Sequence, residues 1–356
     1  MEGSVNPNTI RRENYVRMLP EAKEYDTIKL TLGNEYINFY SNDESIKDYL
    51  LTKKSYLLNT DSTNCIGTIC AILEYNLFNT TEIQDEVLIH KSDERYFPGA
   101  ENVVLFDCEN RLLINHYPFH GIINSYKTNN YHSVISSSKE SLVQLTRMAF
   151  KMALVNYLKN LGYYSLHTAA VVKNNNIYLI LGGARTSKTT IFMNLVLNGY
   201  EAINDDLIFL RKISSGVEIK YIKMLPSVRE GSLRYIHGIN KINLKESKRG
   251  FSDEYFIDVW DIFDSKDQQS STLLGKNIKA VILPEYGYNK MKICNADDEY
   301  FKKKLVKSLS GFQKIEISNN LLDIMNLLLN KPIYKLELSE NMNEFENNFS
   351  KFFNEI

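Results

Sequence analysis

Residues 177–190 constrain the fold of this chain more than any other segment. An apolar run over 177–181 reads as a buried strand, and the pair Gly182–Gly183 ends it. Lys188 and Thr189 follow, and apolar residues then recur at helical spacing. A strand, a glycine turn, a lysine, a hydroxyl and a helix in this order predict a loop that binds phosphate. Loop amides and the helix N-terminus attract anionic oxygens, Lys188 adds a positive charge, and the Thr189 hydroxyl can hold Mg²⁺.

The loop departs from the common template Gly-x4-Gly-Lys-Ser/Thr at one position. Ser187 stands where the template has its second glycine, which lets the backbone approach a phosphate with no side chain in the way. The competing interpretation is a glycine turn before an ordinary helix, with Lys188 in solvent. Arg185 at the tip fits a phosphate contact and a surface cation equally well. The predicted nucleotide-binding residues are Gly182, Gly183, Ala184, Arg185, Thr186, Ser187, Lys188, Thr189 and Thr190.

Two adjacent acids, Asp205 and Asp206, lie 17 and 18 residues after Lys188 and interrupt a predicted strand over 201–210. Burying adjacent carboxylates inside an apolar stretch is costly unless they have a partner. A Mg²⁺ ion or a proton-transfer role would supply that partner. Two close acids also raise one of their pKa values, which suits a general base. A helix cap or a turn is the alternative interpretation.

His167 lies in a predicted strand over 163–172, just before the loop. A histidine at this place can hydrogen-bond to an aspartate and orient it. Taken alone, it fits a core or edge histidine as well.

The wider pattern divides the chain into a β-rich region, residues 1–136, and an α/β region, residues 137–356. Residues 28–39 predict a hairpin that turns at Gly33 and Asn34. A capping box of Ser137 and Glu140 begins a predicted helix over 139–161, which Gly162 ends. Strands mixed with helices indicate an α/β fold. Further helices are predicted at 44–51, 188–198, 297–309, 319–329 and 341–353, and further strands at 86–89, 102–106, 112–115, 217–223, 255–259 and 279–283.

Charge and composition narrow the classes of partner. The net charge is −1, so no overall field draws the chain to nucleic acid or to an acidic membrane. No apolar run approaches the ~20 residues that a spanning helix needs, and the N-terminus lacks a signal-peptide pattern. The four cysteines are scattered, which is typical of free thiols in a reducing compartment. We therefore expect a cytoplasmic protein without nucleic-acid or membrane partners.

Three segments taken together resemble one family. They are His167 followed by Thr-Ala-Ala, the loop Gly182-x4-Ser-Lys188-Thr189, and Asp205-Asp206-Leu207. In this order they are similar to the kinase domain of HPr kinase/phosphorylase and its relatives. The resemblance covers about residues 140–215 well and is weaker beyond. It implies that the C-terminal region shares its fold with phosphoenolpyruvate carboxykinases. The resemblance is negligible before residue 120, and we expect the β-rich N-terminal region to be an accessory domain that recognises the acceptor.

The resemblance also implies an activity: ATP-dependent phosphorylation of a serine hydroxyl on a protein or peptide. On this hypothesis Lys188 contacts the β- and γ-phosphates, and Thr189 coordinates Mg²⁺. Asp205 is the general base, Asp206 helps to hold the metal, and His167 pairs with the acid. A homo-oligomer is compatible with the resemblance.

The chain departs from the family pattern in two places. Ser187 replaces the usual glycine, and residues 234–238 are only a distant counterpart of the segment that serves the reverse, phosphorolytic reaction. The chain looks closer to HPr-kinase-like proteins found with peptide-modifying biosynthetic enzymes, some of which phosphorylate a precursor peptide. Two alternatives stay open: a kinase of a free small molecule, and a nucleotide-binding scaffold without catalysis.

Overall fold

The computed structural model describes residues 27–32, 35–44, 46, 64–73, 90–91, 104–108, 111–115, 120–126, 130–136, 138–183, 186–214, 216–222, 225–239, 244–249, 252–257, 259, 270–273, 277–308, 319–341, 348–349 and 351–352. The chain divides into two units, Met1–Tyr157 and Leu158–Ile356. Among the described residues, no helix combines the length and the apolar character needed to cross a membrane.

The described residues of the N-terminal unit form eight strands: β1 (Thr27–Leu32), β2 (Glu35–Ser41), β3 (Asn64–Leu73), β4 (His90–Lys91), β5 (Val104–Cys108), β6 (Arg111–Asn115), β7 (His120–Tyr126) and β8 (Tyr131–Ser136). They form one sheet in the order β1-β2-β3-β8-β7-β6-β5-β4. The predicted hairpin is confirmed, since β1 and β2 pair antiparallel with Leu30 opposite Ile37. Its turn, Gly33 and Asn34, lies outside the described residues, as do most of the predicted helix 44–51 and the predicted strand 86–89.

Helix α1 (Lys139–Asn160) follows β8 and agrees closely with its predicted range. The cap is Ser138, one residue after the predicted Ser137, because the Ser138 hydroxyl accepts the Ser141 amide at 3.2 Å. Ser137 itself is outside the described residues. Gly162 ends the helix as predicted, with φ of 82°, a left-handed conformation that costs a glycine little.

The C-terminal unit holds the remaining strands: β9 (Tyr164–Leu166), β10 (Thr168–Lys173), β11 (Asn176–Leu181), β12 (Glu201–Asn204), β13 (Ile208–Ile213), β14 (Gly216–Ile222), β15 (Ser227–Arg229), β16 (Leu244–Arg249), β17 (Ser252–Ile257), β18 (Ser270–Leu273), β19 (Asn277–Tyr288), β20 (Lys292–Asn295) and β21 (Ile333–Ser339). They form a six-stranded sheet (β12-β10-β11-β19-β21-β20), a four-stranded sheet (β18-β14-β13-β9) and a three-stranded sheet (β15-β17-β16). Its helices are α2 (Lys188–Leu197), α3 (Glu230–Leu233), α4 (Asp298–Ser308) and α5 (Asn319–Leu329).

The main core of this unit lies between the six-stranded and four-stranded sheets. Leu179 of β11, Leu210 of β13 and Phe301 of α4 share one buried apolar cluster. Helix α2 packs against β10, β11 and β12. Since β11 and β12 both pair antiparallel with β10, they run parallel to each other. Their carboxyl ends therefore meet at one edge of the sheet, where ligands commonly bind in α/β folds. The unit is a mixed α/β structure, in agreement with the predicted class.

Two predicted strands each divide between two sheets. The predicted strand 163–172 breaks at His167 into β9 and β10, an interruption that was not predicted. The interruption predicted within 201–210 is confirmed, since β12 ends at Asn204 and β13 begins at Ile208, but the change of sheet there was not predicted. In each case the first half and the second half belong to different sheets. Both breaks occur because the chain crosses from one sheet to the other at these points.

The other predicted elements of this unit agree within a few residues where the structure describes them. The predicted strands 217–223, 255–259 and 279–283 fall on β14, β17 and β19, and the predicted helices 297–309 and 319–329 fall on α4 and α5. The predicted helix 341–353 lies largely outside the described residues.

Candidate active site

The loop between β11 and α2 folds back on its own first residues. The Thr186 hydroxyl donates to the Gly183 carbonyl at 3.0 Å, and the Lys188 ammonium donates to the same oxygen at 2.7 Å. A Cβ on Gly182 would lie 2.4 Å from the Thr186 hydroxyl oxygen, so any other residue at this position would displace the Thr186 side chain. Ala184 and Arg185, two of the predicted contact residues, lie outside the described residues.

Ser187 occupies the cap position of α2 in a left-handed conformation, with φ of 66° and ψ of 20°. Only glycine adopts this conformation without cost, which gives a structural reason for the second glycine of the template. The loop of this chain therefore reaches a glycine-like backbone conformation with a serine, at an expected cost of about 1 kcal/mol.

The N-terminus of α2 carries the electrostatic features of an anion site. Lys188 is its first residue and is 6% exposed. No acidic residue lies in its first turn, which is fully described. The unsatisfied amides of a helix N-terminus carry partial positive charge, and the lysine adds a full one. Thr190, also predicted to contact nucleotide, is 6% exposed and accepts the Asn194 side-chain amide with its carbonyl.

Asp205 meets this helix through Thr189. The Thr189 hydroxyl donates to Asp205 Oδ2 at 2.9 Å, and Asp205 is 8% exposed. Asn204, fully buried, shapes the turn: its Oδ1 accepts the Asp205 amide at 2.9 Å and its Nδ2 donates to the Leu207 carbonyl at 2.7 Å. A side-chain amide that bonds its own following backbone is a recurrent way to stabilise a tight turn. The turn thereby fixes the direction of both acids.

Asp206 faces His167. The distance from His167 Nε2 to Asp206 Oδ1 is 3.5 Å, and the two side chains are 33% and 30% exposed. The sheet registers explain the meeting, because Leu166 pairs with Ile208 in one sheet and Ala170 pairs with Asn204 in the other. The two crossings between sheets therefore lie side by side, with the histidine on one and the acids on the other.

The structure thus brings together His167, Gly182, Gly183, Thr186, Ser187, Lys188, Thr189, Asp205 and Asp206. Sequence reasoning missed two residues that shape the site. One is Asn204, whose signal was its place before the acids in a turn-forming tripeptide. The other is Ser308, whose carbonyl accepts the His167 amide at 2.6 Å, and no local pattern indicates that contact.

The hydroxyl oxygen of Thr189 and the carboxylate oxygens of Asp205 are of the kind that Mg²⁺ binds. No cluster of three or more His, Cys, Asp or Glu side chains able to hold a metal occurs in the described part of the chain. Mg²⁺ seldom needs such a cluster, because it is usually held by one or two carboxylates together with substrate phosphates and water. A hydroxyl and a carboxylate 2.9 Å apart at the mouth of an anion site supply the protein part of this arrangement.

Among family models, curated proteins and solved structures, only solved structures match the chain. No family model and no curated protein matches the chain. Among solved structures 56 chains match. One of them is the Hpr(Ser) kinase/phosphatase from Coxiella burnetii, at 13% sequence identity and a TM-score of 0.28, over 54% of this chain and 89% of that chain. A TM-score at this level carries no argument about the fold or the activity of the present chain.

Proposed function

We propose that this chain is an ATP-dependent phosphotransferase that transfers the γ-phosphoryl group of ATP to a hydroxyl. One observation carries the proposal. The Thr189 hydroxyl, next to Lys188 at the start of α2, contacts Asp205, and the adjacent Asp206 contacts His167. A helix N-terminus with a lysine, next to carboxylates, supports phosphoryl transfer, since this chemistry depends on positioning and charge neutralisation.

The loop and helix α2 would hold the triphosphate. The backbone amides of the loop and of the first helical turn donate to phosphate oxygens, and Lys188 neutralises part of their charge. Lys188 now donates to the Gly183 carbonyl, so its ammonium already lies at the mouth of the loop. Mg²⁺, held by Thr189 and a carboxylate, would neutralise charge on the phosphates during transfer.

The contacts favour roles for the two acids that are opposite to those predicted from sequence, with Asp205 as the metal ligand and Asp206 as the base. Asp205 is buried and bonded to Thr189, so it is suited to share the metal. Asp206 is 30% exposed and faces His167, so an incoming hydroxyl can reach it. Here Asp206 accepts the hydroxyl proton as the hydroxyl oxygen bonds to the γ-phosphorus and the bond to the β–γ bridging oxygen breaks. His167 orients the Asp206 carboxylate.

We further propose that the acceptor is a serine of a peptide or protein. The resemblance described above supports this choice, together with a fold of the HPr kinase type for the C-terminal region. The exposure of Asp206 and His167 is consistent with it, because a side chain of a larger molecule needs an accessible base. The β-rich N-terminal region would then recognise the acceptor.

The test is a transfer assay with γ-labelled ATP and Mg²⁺, offered a serine-containing peptide library in one arm and a mixture of amino acids and sugars in the other. Four proteins are compared: wild type, Asp205→Asn, Asp206→Asn and Asp323→Asn. Asp323, on α5, pairs with Lys212 and serves as the matched control. ATP binding of each protein is measured in parallel by calorimetry.

We expect labelled peptide from wild type and from the control. Asp206→Asn should bind MgATP normally and lose transfer by about 100-fold or more, as expected for a general base. Asp205→Asn should weaken MgATP binding. If instead Asp206→Asn weakens MgATP binding and Asp205→Asn loses transfer while it binds MgATP normally, the roles predicted from sequence are correct. Label on a metabolite alone would replace the peptide acceptor, and neither binding nor transfer in wild type would favour the scaffold and end the proposal.

A further inference from the structure

The backbone amide of His167 is hydrogen-bonded to a residue that belongs to neither of the two sheets that His167 connects. Strand β9 ends at Leu166 and β10 begins at Thr168, so neither ladder includes His167. Its amide donates instead to the carbonyl of Ser308, at 2.6 Å. The position of this histidine therefore depends on where the chain places Ser308.

Ser308 is the last residue of α4 and is fully buried. Its hydroxyl donates to the Leu305 carbonyl at 2.8 Å, which closes the final turn of the helix. Phe301 and Leu305, both almost fully buried, attach the helix to the core. Apolar burial is not directional, so by itself it does not fix the helix along its own axis.

An ion pair supplies a directional attachment one turn before Ser308. Lys304 of α4 donates to Glu285 of β19 at 2.7 Å, and the two side chains are 16% and 23% exposed. Lys335 of β21 holds the same carboxylate at 3.2 Å, so Glu285 is itself fixed to the sheet. Burial alone would raise the pKa of Glu285, but the hydrogen bonds that this carboxylate accepts, that from Lys304 first, hold its pKa at about 2.

We propose that Lys304 and Glu285 are positioning residues for the candidate site. Their ion pair fixes α4 on β19, the end of α4 presents the Ser308 carbonyl to the His167 amide, and His167 in turn keeps its contact with Asp206. The catalytic consequence of this arrangement rests on the proposed function, whereas the structural coupling from α4 to His167 does not.

The coupling is tested by residue-resolved amide hydrogen exchange on the full chain. The variants are Lys304→Met, which keeps length and removes charge; Glu285→Gln, which keeps shape; and Lys304→Arg, which restores charge. Lys302→Met is the matched control, since Lys302 is exposed on the same helix. We expect the His167 amide to exchange at least about tenfold faster in Lys304→Met and Glu285→Gln, because a charged hydrogen bond is lost. Lys304→Arg should return the rate toward that of wild type, and Lys302→Met should leave it unchanged.

Kinetics give the second measurement. In Lys304→Met we expect kcat to fall about tenfold with the KM for ATP unchanged, since a misplaced orienting group affects the transition state and leaves substrate binding intact. Unchanged exchange at His167, or equal acceleration at the amides of β11, would overturn the coupling and leave the ion pair with a purely structural role. If wild type shows no transfer, the proposed function fails, and the exchange data still decide the coupling.

Discussion

Protonation of His132 should destabilise the N-terminal unit in mild acid. His132 lies on β8 and is fully buried, and its Nε2 lies 3.0 Å from Asn130 Oδ1. Because the Asn130 amide nitrogen donates to the carbonyls of Ile66 and Ala153, Oδ1 must be the acceptor and Nε2 must carry the ring proton. Among the described residues Nδ1 has no hydrogen-bond partner. A proton added there would be a buried charge with no acceptor.

Burial accordingly lowers the pKa of His132 from 6.5 to about 4. The pKa of His132 is lower in the folded chain than in the unfolded chain. Neutral His132 therefore contributes its full stabilisation above pH 6.5. This stabilisation is lost as the pH falls, because the unfolded chain then binds a proton that the folded chain does not bind. These two pKa values correspond to a loss of about 2 kcal/mol between pH 7.5 and pH 5, and about 3 kcal/mol in the limit of lower pH.

The assay uses protein labelled with ¹³C at its six histidines. The His132 ring resonance, assigned from its absence in His132→Gln, should titrate with a midpoint below pH 5. Its folded-state intensity in urea then gives the free energy of unfolding at pH 7.5 and pH 5, and a ¹⁵N-labelled backbone amide of β8 supplies the probe in the variant. We expect His132→Gln to be less stable at pH 7.5 and to lose most of the pH dependence. A midpoint at 6.5 or above, or an equal pH dependence in the variant, would refute the reasoning.

Three further predictions concern the C-terminal unit, each checked by urea unfolding. Gly182→Ala should destabilise by about 1–3 kcal/mol through the contact with the Thr186 hydroxyl, and adding Thr186→Ala should recover part of the loss; no recovery would contradict the contact. Ser187→Gly should stabilise by about 0.5 kcal/mol, since it relieves the left-handed φ at some cost in chain entropy, whereas Ser187→Ala should give no gain. Asn194→Ala should cost about 3 kcal/mol, because this buried amide bonds the turn 235–237 to α2, and a loss under 1 kcal/mol would argue against that role.

Sequence signals predicted the elements whose cause is local. Gly162 ends α1 as predicted, because glycine adopts the left-handed conformation at little cost. The strand, loop and helix around Lys188 were predicted because glycine, lysine and apolar spacing act within a few residues of each other.

The rest of the site depends on pairing between distant parts of the chain. An apolar strand pattern does not state which sheet a residue joins, so the sequence did not predict that the chain changes sheet at His167 and after Asn204. The register of those crossings decides that Asp205 faces Thr189 and Asp206 faces His167. The hydrogen bond between His167 and Ser308 joins backbone groups that are far apart in the sequence. Because it involves no side chain, no pattern of residue types could predict it.

Calorimetric titration of MgATP into wild type and Lys188→Met tests the central claim, that a triphosphate binds where β11 enters α2 beside the acid pair. The account predicts one site per chain in wild type, dependence on Mg²⁺, and a loss of at least about tenfold in affinity in the variant, as the loss of a charged hydrogen bond to phosphate implies. Equal affinity in the two proteins, or no binding to wild type, would contradict it.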